Sequence, residues 1–285
     1  MNNMNSQETH LILKKLGIKP NKRLGQNFLI DKNIVSKILS ESHLLKDEVV
    51  LEIGPGLGAL TEGLIGQRNK IYAFEIDFKL YNFLTEKFRS VKNLELFNQD
   101  ILKAQIPHHD IVISNIPYSI TGAIFEKVFY NEKPARGVLI IENTIAERIF
   151  SKNTYKNFSR ITVSFNAFME PIQKYKISKF CFIPTPKIEL ALIIVKPKEY
   201  IDHFLLIENQ RKFFLKFVAG LMPYKNKNLI NGIMLFLKKE VISFSSKQEL
   251  YNVIKNAKFN DKKIAQFKVE EIIELSKLIY NWLYN

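Results

Sequence analysis

Six short runs rich in β-branched and aromatic residues recur along this chain: Val49 to Ile53, Lys70 to Ile76, Leu94 to Asn98, Ile111 to Asn115, Val138 to Ile141 and Leu190 to Lys196. Most are separated by stretches long enough to hold a helix. Strands spaced this way pair in parallel through crossover helices, and a parallel sheet needs cover on both faces. The pattern therefore predicts an α/β fold built from βαβ units. After Pro197 the period changes, and from about Tyr200 to Asn285 apolar residues recur at helical spacing. The clearest case is Val269, Ile272, Ile273, Leu275, Ile279, Trp282 and Leu283, with Glu270, Glu271 and Lys277 between them. The expected organisation is an N-terminal extension over 1–30, an α/β domain over 31–198 and a small all-helical C-terminal domain over 199–285. A chain of 285 residues with 46% hydrophobic content can bury one large core and a smaller one beside it.

Charge narrows the partners. Lys and Arg number 42 against 28 Asp and Glu, a formal net charge of +14, with a sequence pI near 9.6. A polyanion is favoured, either nucleic acid or an acidic membrane surface. Leu11 to Ile18 is too short and too interrupted by lysine for a secretory signal core. The longest purely aliphatic run, Leu190 to Val195, falls far below the roughly 18 residues of a membrane-spanning helix. A soluble cytoplasmic protein without a membrane partner is expected. The lone Cys181 allows no intramolecular disulfide and reads as a small buried hydrophobe, while His108 and His109 lack partners at ligand spacing, so no metal is expected.

The chemistry concentrates at strand ends. Glu52-Ile53-Gly54-Pro55-Gly56-Leu57-Gly58-Ala59 falls where the first strand should give way to a helix, and glycines there permit a tight turn and close approach of a ligand. The second strand runs into Glu75-Ile76-Asp77, at the separation expected of a carboxylate that binds ribose hydroxyls. Together these predict a nucleoside-containing cofactor. Gly54, Gly56 and Ala59 also fit the dinucleotide pattern, so an NAD-dependent enzyme is a rival at this point. Asp100, after the third strand, either accepts from an adenine amino group or caps the turn over Ile101 to Lys103.

Ser114-Asn115-Ile116-Pro117-Tyr118 follows the fourth strand directly. Asn115 offers an amide acceptor, Pro117 fixes the backbone, and Tyr118 presents a flat face on which a base can stack. An Asn-Pro turn with a packed Tyr is the plainer alternative. The exocyclic amine of adenine is a poor nucleophile because its lone pair is delocalised into the ring. Hydrogen bonds from that amine to Asn115 and a nearby backbone carbonyl would favour its pyramidal, reactive form without a strong base.

Asn115-Ile116-Pro117-Tyr118 resembles the [DNS]-[IL]-P-[FY] motif of methyltransferases that act on exocyclic nitrogens. Upstream, Gly25-Gln26-Asn27-Phe28-Leu29 resembles the G-Q-N-F-L segment of the ribosomal RNA adenine N6-dimethyltransferase family, and Phe182-Ile183-Pro184-Thr185-Pro186-Lys187-Ile188 resembles its F-x-P-x-P-K-V segment. The motifs stand in family order, and the chain is most similar to the KsgA/RsmA type. The resemblance implies a seven-stranded Rossmann-like sheet with a helical C-terminal domain. It implies S-adenosylmethionine as cofactor, with Asn27 and Leu29 on its methionine side, Gly54 close to it, Glu75 on the ribose hydroxyls and Asp100 on its adenine. Asn115 would lie between methyl donor and acceptor amine, and Tyr118 and Phe182 would sandwich a flipped base.

The implied activity is N6-dimethylation of two adjacent adenosines near the 3′ end of small-subunit ribosomal RNA. The implied partner is that RNA or the pre-assembled small subunit, met by a monomer. Alternatives are an Erm-type enzyme of large-subunit RNA and a noncatalytic RNA-binding assembly factor. Two departures concern RNA contacts: Glu189-Leu190 replaces the family's D-S, and Pro223-Tyr224-Lys225-Asn226-Lys227 stands where a Q-R-R-K stretch is usual. Basic clusters at Lys14, Lys15, Lys19, Lys22 and Arg23, and at Lys174, Lys176 and Lys179, could pair with phosphates.

Overall fold

The structure, a computed structural model, describes residues 6–21, 24–151, 158–239, 247–257 and 259–284. The chain divides into two compact units, one of 1–129, 135–146 and 171–197 and another of 130–134, 147–170 and 198–285.

The first unit carries α1 (Ser6–Lys15), β1 (Phe28–Leu29), α2 (Lys32–Ser42), β2 (Val49–Ile53), α3 (Ala59–Ile65), β3 (Lys70–Phe74), α4 (Phe78–Lys87), β4 (Leu94–Phe97), β5 (Ile111–Asn115), α5 (Thr121–Val128) and β6 (Arg136–Glu142). Beyond α6 (Asn143–Phe150) and α7 (Arg160–Phe168) come β7 (Met169–Ile177), β8 (Phe182–Ile183) and β9 (Leu190–Pro197). Seven strands form one sheet in the order β4-β3-β2-β5-β6-β9-β7. β4 through β6 pair in parallel and β9 runs antiparallel to β6. This is the Rossmann-like methyltransferase architecture.

The central strands are apolar on both faces because helices cover both. Val50, Leu51, Ile111, Val112, Ile113, Leu139, Ile140 and Ile141 are fully buried. β7, absent from the sequence reading, has the composition of an edge strand: Pro171 and three polar or charged side chains at Gln173, Lys174 and Lys176 suit a position where one side is unpaired. β1 and β8 form a separate two-stranded antiparallel ladder, with Phe28 opposite Ile183 and Leu29 opposite Phe182. Two residues are too few to leave a periodic signal.

The second unit is helical: α8 (His203–Leu206), α9 (Glu208–Leu221), α10 (Leu229–Lys239), α11 (Lys247–Asn256) and α12 (Val269–Tyr284) join α7. On α12 the stripe Val269, Ile272, Ile273, Leu275 and Ile279 is buried, as its spacing predicts, while Trp282 lies at the margin and donates to Glu249. No helix among the described residues is long and apolar enough to cross a membrane.

Candidate active site

Strand β2 is where the sheet order reverses, since the chain passes from β2 to β3 and β4 on one side and then returns to β5 on the other. In open α/β sheets the crevice beyond the strand ends at such a switch point holds the ligand. Here β4 delivers Gln99 and Asp100, β3 delivers Glu75 and Ile76, β2 delivers Gly54 to Leu57, and β5 delivers Asn115 and Pro117 to one cleft, which Leu24 to Leu29 wall on another side. Neighbouring strands lie about 4.8 Å apart, so the row spans roughly 14 Å. That matches the reach of a nucleoside carrying an amino-acid tail.

The glycine loop is shaped by its neighbours. Gly56 adopts φ +62, and a Cβ there would lie 3.0 Å from the ring of Phe28. Gly58 adopts φ +79, and a Cβ there would approach Leu84 to 2.8 Å. Three backbone N–H groups of the loop are already engaged: Gly54 donates to Phe74, Gly58 to Pro55, and Gly56 to the carboxylate of Glu75.

Glu75 lies past the end of β3. Its N–H still reaches Phe97 across the sheet, while its carboxylate turns back to accept from Gly56 at 3.1 Å and from Asp77 at 2.9 Å. It is 4% exposed, and burial pushes its pKa up to about 7 despite those donors. Glu52, to which the sequence reading gave no separate role, is 1% exposed and accepts from the Thr61 hydroxyl at 2.8 Å. Burial, with the nearby Glu75 charge adding, pushes it up to about 8. Its signal was its place as the last polar side chain before the glycines.

Asp100 accepts from the N–H of Leu102 at 3.0 Å and also lines the cleft, so the capping and cleft-facing readings coexist. Gln26 belongs to the Gly25 to Leu29 motif. It donates to Asp77 at 2.9 Å and accepts from Asn21, and Asp77 in turn caps α4. The segment before β1 is thereby tied to the end of β3.

Asn115 donates through Nδ2 to the carbonyl of Asn27 at 3.1 Å, and its Oδ1 accepts from the Tyr118 hydroxyl at 3.3 Å. Burial raises the Tyr118 pKa, which keeps the hydroxyl a donor. Asn27, Leu29, Gly54, Glu75, Asp100 and Asn115 all line the cleft. Tyr118 and Phe182 do not. Tyr118 is half-buried against the core cluster that contains Leu29, Cys181 and Phe182, and Phe182 itself is 1% exposed. Any stacking role for Phe182 therefore needs its ring to be uncovered.

Lys14, Lys15 and Lys19 are exposed, whereas Lys22 and Arg23 lie outside the described residues. Lys176 pairs with Glu189 at 3.0 Å, and Lys225 donates to the carbonyl of Phe158 at 2.8 Å. Cys181 is buried, and its thiol reaches Asp31 at 3.4 Å.

Despite a net charge of +14, the cleft contains the carboxylates of Glu52, Glu75 and Asp100, and no Lys or Arg lines it among the described residues. A pyrophosphate would need free backbone N–H groups or a cation, and the glycine loop offers neither at Gly54, Gly56 or Gly58. A cationic sulfonium with a ribose and an adenine fits this set.

Residues 17–276 match the family described as ribosomal RNA adenine dimethylase. The ribosomal RNA small subunit methyltransferase A of Thermotoga petrophila is 35% identical over 252 residues, covering 88% of this chain and 94% of its own length. Among solved structures, a dimethyladenosine transferase from Plasmodium falciparum aligns with a TM-score of 0.72 at 21% identity, covering 90% of this chain and 97% of that one. The 23S rRNA methyltransferase ErmE aligns with a TM-score of 0.58 at 24% identity, covering 89% and 100%. At those identities both structures speak for the fold alone.

Proposed function

The chain belongs to the ribosomal RNA adenine dimethylase family, and from that premise we propose how its cleft and the loop after β5 carry out the reaction. The activity is S-adenosylmethionine-dependent dimethylation of adenine N6 in small-subunit ribosomal RNA. When bound, the cofactor supplies a methyl group on a positively charged sulfur. The observation that carries the residue assignment is the row of side-chain acceptors Asp100, Glu75 and Asn115, ordered across the strand ends in a cleft whose described lining has no Lys or Arg.

Asp100 at the end of β4 would accept from the cofactor's adenine amine, with Ile76 and Ile101 beside it as apolar cover. Glu75 would accept from the ribose hydroxyls with the lone pairs that Gly56 and Asp77 leave open. Gly54, with Asn27 and Leu29 across from it, would flank the amino-acid tail. Asn115, the next strand end, would then receive the target amine. Its Oδ1 exchanges the Tyr118 hydroxyl for the adenine amine, and a carbonyl of the Ile116–Pro117 turn takes the second N–H. The base leaves its stack to reach this point. Rate enhancement rests on positioning and on exclusion of water, since Asn115 is a neutral acceptor and does not take up a proton. We assign catalysis to the sheet-bearing unit and docking on the ribosomal particle to the helical one, in a monomeric cytoplasmic enzyme acting on two adjacent adenosines near the RNA 3′ end.

An Erm-type preference for large-subunit RNA is disfavoured by the curated relatives, which are named for the small subunit. Labelled methyl transfer to unmethylated small subunits and to large-subunit RNA, followed by mapping of the modified adenines, tests the assignment. Label at adenines of the small-subunit RNA is the expected result. Label confined to large-subunit RNA would replace it with the Erm-type reading, and no transfer to either would leave a binding factor.

A further inference from the structure

After β7 the chain turns tightly through Ser178 to Cys181 and enters β8. The turn is held on both sides. Ser178 accepts the N–H of Phe180 through its hydroxyl at 3.3 Å, Cys181 donates to the carbonyl of Ser178 at 3.1 Å, and the carbonyl of Cys181 accepts from Ile30 at 2.9 Å. Cys181 and Phe182 point into the core, yet Phe180 is 74% exposed. Among the described residues Tyr200 is as exposed, and no large hydrophobic side chain is more so. A whole aromatic ring left in water forgoes about 2 kcal/mol of burial, and neither the fold nor the cleft accounts for it.

Its surroundings specify a partner. Lys179 sets its ammonium 5.7 Å from the Phe180 ring centroid. Lys174, Lys176 and Lys187 lie on the same stretch of chain, whose one carboxylate, Glu189, pairs with Lys176, while Asp31 reaches the Cys181 thiol from outside it. Lys174, Lys179 and Lys187 have no carboxylate partner among the described residues. An exposed aromatic ring with an ammonium beside it, on a stretch of chain rich in lysine, is suited to stacking an unpaired base while lysines follow the phosphates. Its location suits that use: Phe182, two residues on, pairs with Leu29, which lines the cleft.

We propose that Phe180 is a stacking platform for an unpaired nucleotide neighbouring the target adenine, with Lys174, Lys179 and Lys187 on the flanking phosphates. The inference rests on the RNA-methylating function above and adds a substrate-positioning residue outside the motifs that revealed it. Phe180 holds the strand beside the site while the adjacent base is presented to Asn115.

The test uses the full-length enzyme and a protein-free RNA strand covering the methylated region. Phe180→Ala is expected to weaken binding of that strand by about 5- to 150-fold, the range of one lost base stack. Single-turnover methyl transfer at saturating RNA should fall by a smaller factor, and cofactor affinity should hold. The chain has one tryptophan, so Phe180→Trp combined with Trp282→Phe places a lone indole on the platform. Its emission should be quenched as the strand is added, with affinity near that of the unsubstituted enzyme. Unchanged RNA affinity in Phe180→Ala, or an unquenched indole at saturating RNA, overturns the proposal. Loss of binding to whole subunits with intact binding to the protein-free strand also overturns it, since the ring would then dock on a ribosomal protein. If the unsubstituted enzyme methylates no adenine of the small subunit, the functional reading fails on its own, whatever the indole reports.

Discussion

The hydroxyl of Tyr118 donates to the side-chain oxygen of Asn115 at 3.3 Å, three residues away along the same turn. The acceptor assigned to the target amine is thus satisfied from within the protein until a base arrives. The bond is long, and its loss is offset when the amine takes its place.

Two substitutions separate the partners in that bond. Asn115→Ala removes an acceptor needed most as the amine becomes pyramidal, so turnover should fall by about 100- to 1000-fold, the scale of one lost transition-state hydrogen bond, with a smaller loss of RNA affinity. Tyr118→Phe keeps the ring and frees Asn115, and should stay within a few-fold of the unsubstituted rate. Tyr118→Ala loses about 1 to 3 kcal/mol of stacking. Single-turnover transfer at saturating cofactor, beside separate RNA-binding curves, reads all three, and an active Asn115→Ala enzyme would sink the assignment.

Phe182 answers two questions at once. Being 1% exposed, its truncation to alanine should cost about 3 to 5 kcal/mol of stability, seen as a lower denaturant midpoint. Phe182→Leu keeps most of the core volume but not the aromatic face. If a base stacks on Phe182, the Leu variant folds near normally and binds the target strand about 5- to 150-fold less tightly. Unchanged RNA binding in Phe182→Leu would restrict the residue to the core.

The buried carboxylates make stability and cofactor binding respond to pH in opposite senses. Glu75 and Glu52 hold their protons up to about 7 and about 8 in the folded chain, above the ordinary 4.5. The folded state then binds more protons than the unfolded state across that window, so stability present at low pH is lost as pH rises from about 5 to 8. For Glu75 alone the loss is on the order of 3 kcal/mol. S-adenosylmethionine should bind more tightly over the same rise, because an ionised Glu75 is the better acceptor for the ribose. Glu75→Ala and Asp100→Ala should each weaken binding by about 1 to 3 kcal/mol. Titration calorimetry and thermal melts between pH 5 and 8 check both trends, and cofactor affinity flat across the range would remove Glu75 from the site.

RNA affinity should fall steeply with salt, as expected when lysines displace condensed counterions, while cofactor affinity should hardly move. Binding that is flat between low and physiological salt would rule out the basic surface as the RNA platform.

Much of this was legible in the chain before its structure. The parallel core showed because a strand buried on both faces must be apolar throughout, and Val49–Ile53 and Ile111–Asn115 coincide with their predicted bounds. The cleft residues were legible for a different reason: turns after parallel strands demand glycine, and a carboxylate beside them has few structural uses. β7 was hidden because an edge strand alternates and tolerates Pro171. Segments 130–134 and 147–170 fall with the helical unit although they lie between strands of the sheet, a long-range preference with no local trace. Phe182 had a sequence signal and Phe180 had none, since exposure of an aromatic cannot be told from its letter.

The short ladder of β1 and β8 sets Leu29 and Phe182 opposite each other. One strand carries a residue of the cofactor cleft and the other a residue assigned to the incoming base, so neither side can shift without moving its partner. The two ligands accordingly share one free energy: whatever factor the cofactor adds to RNA affinity, the RNA must return to cofactor affinity in equal measure.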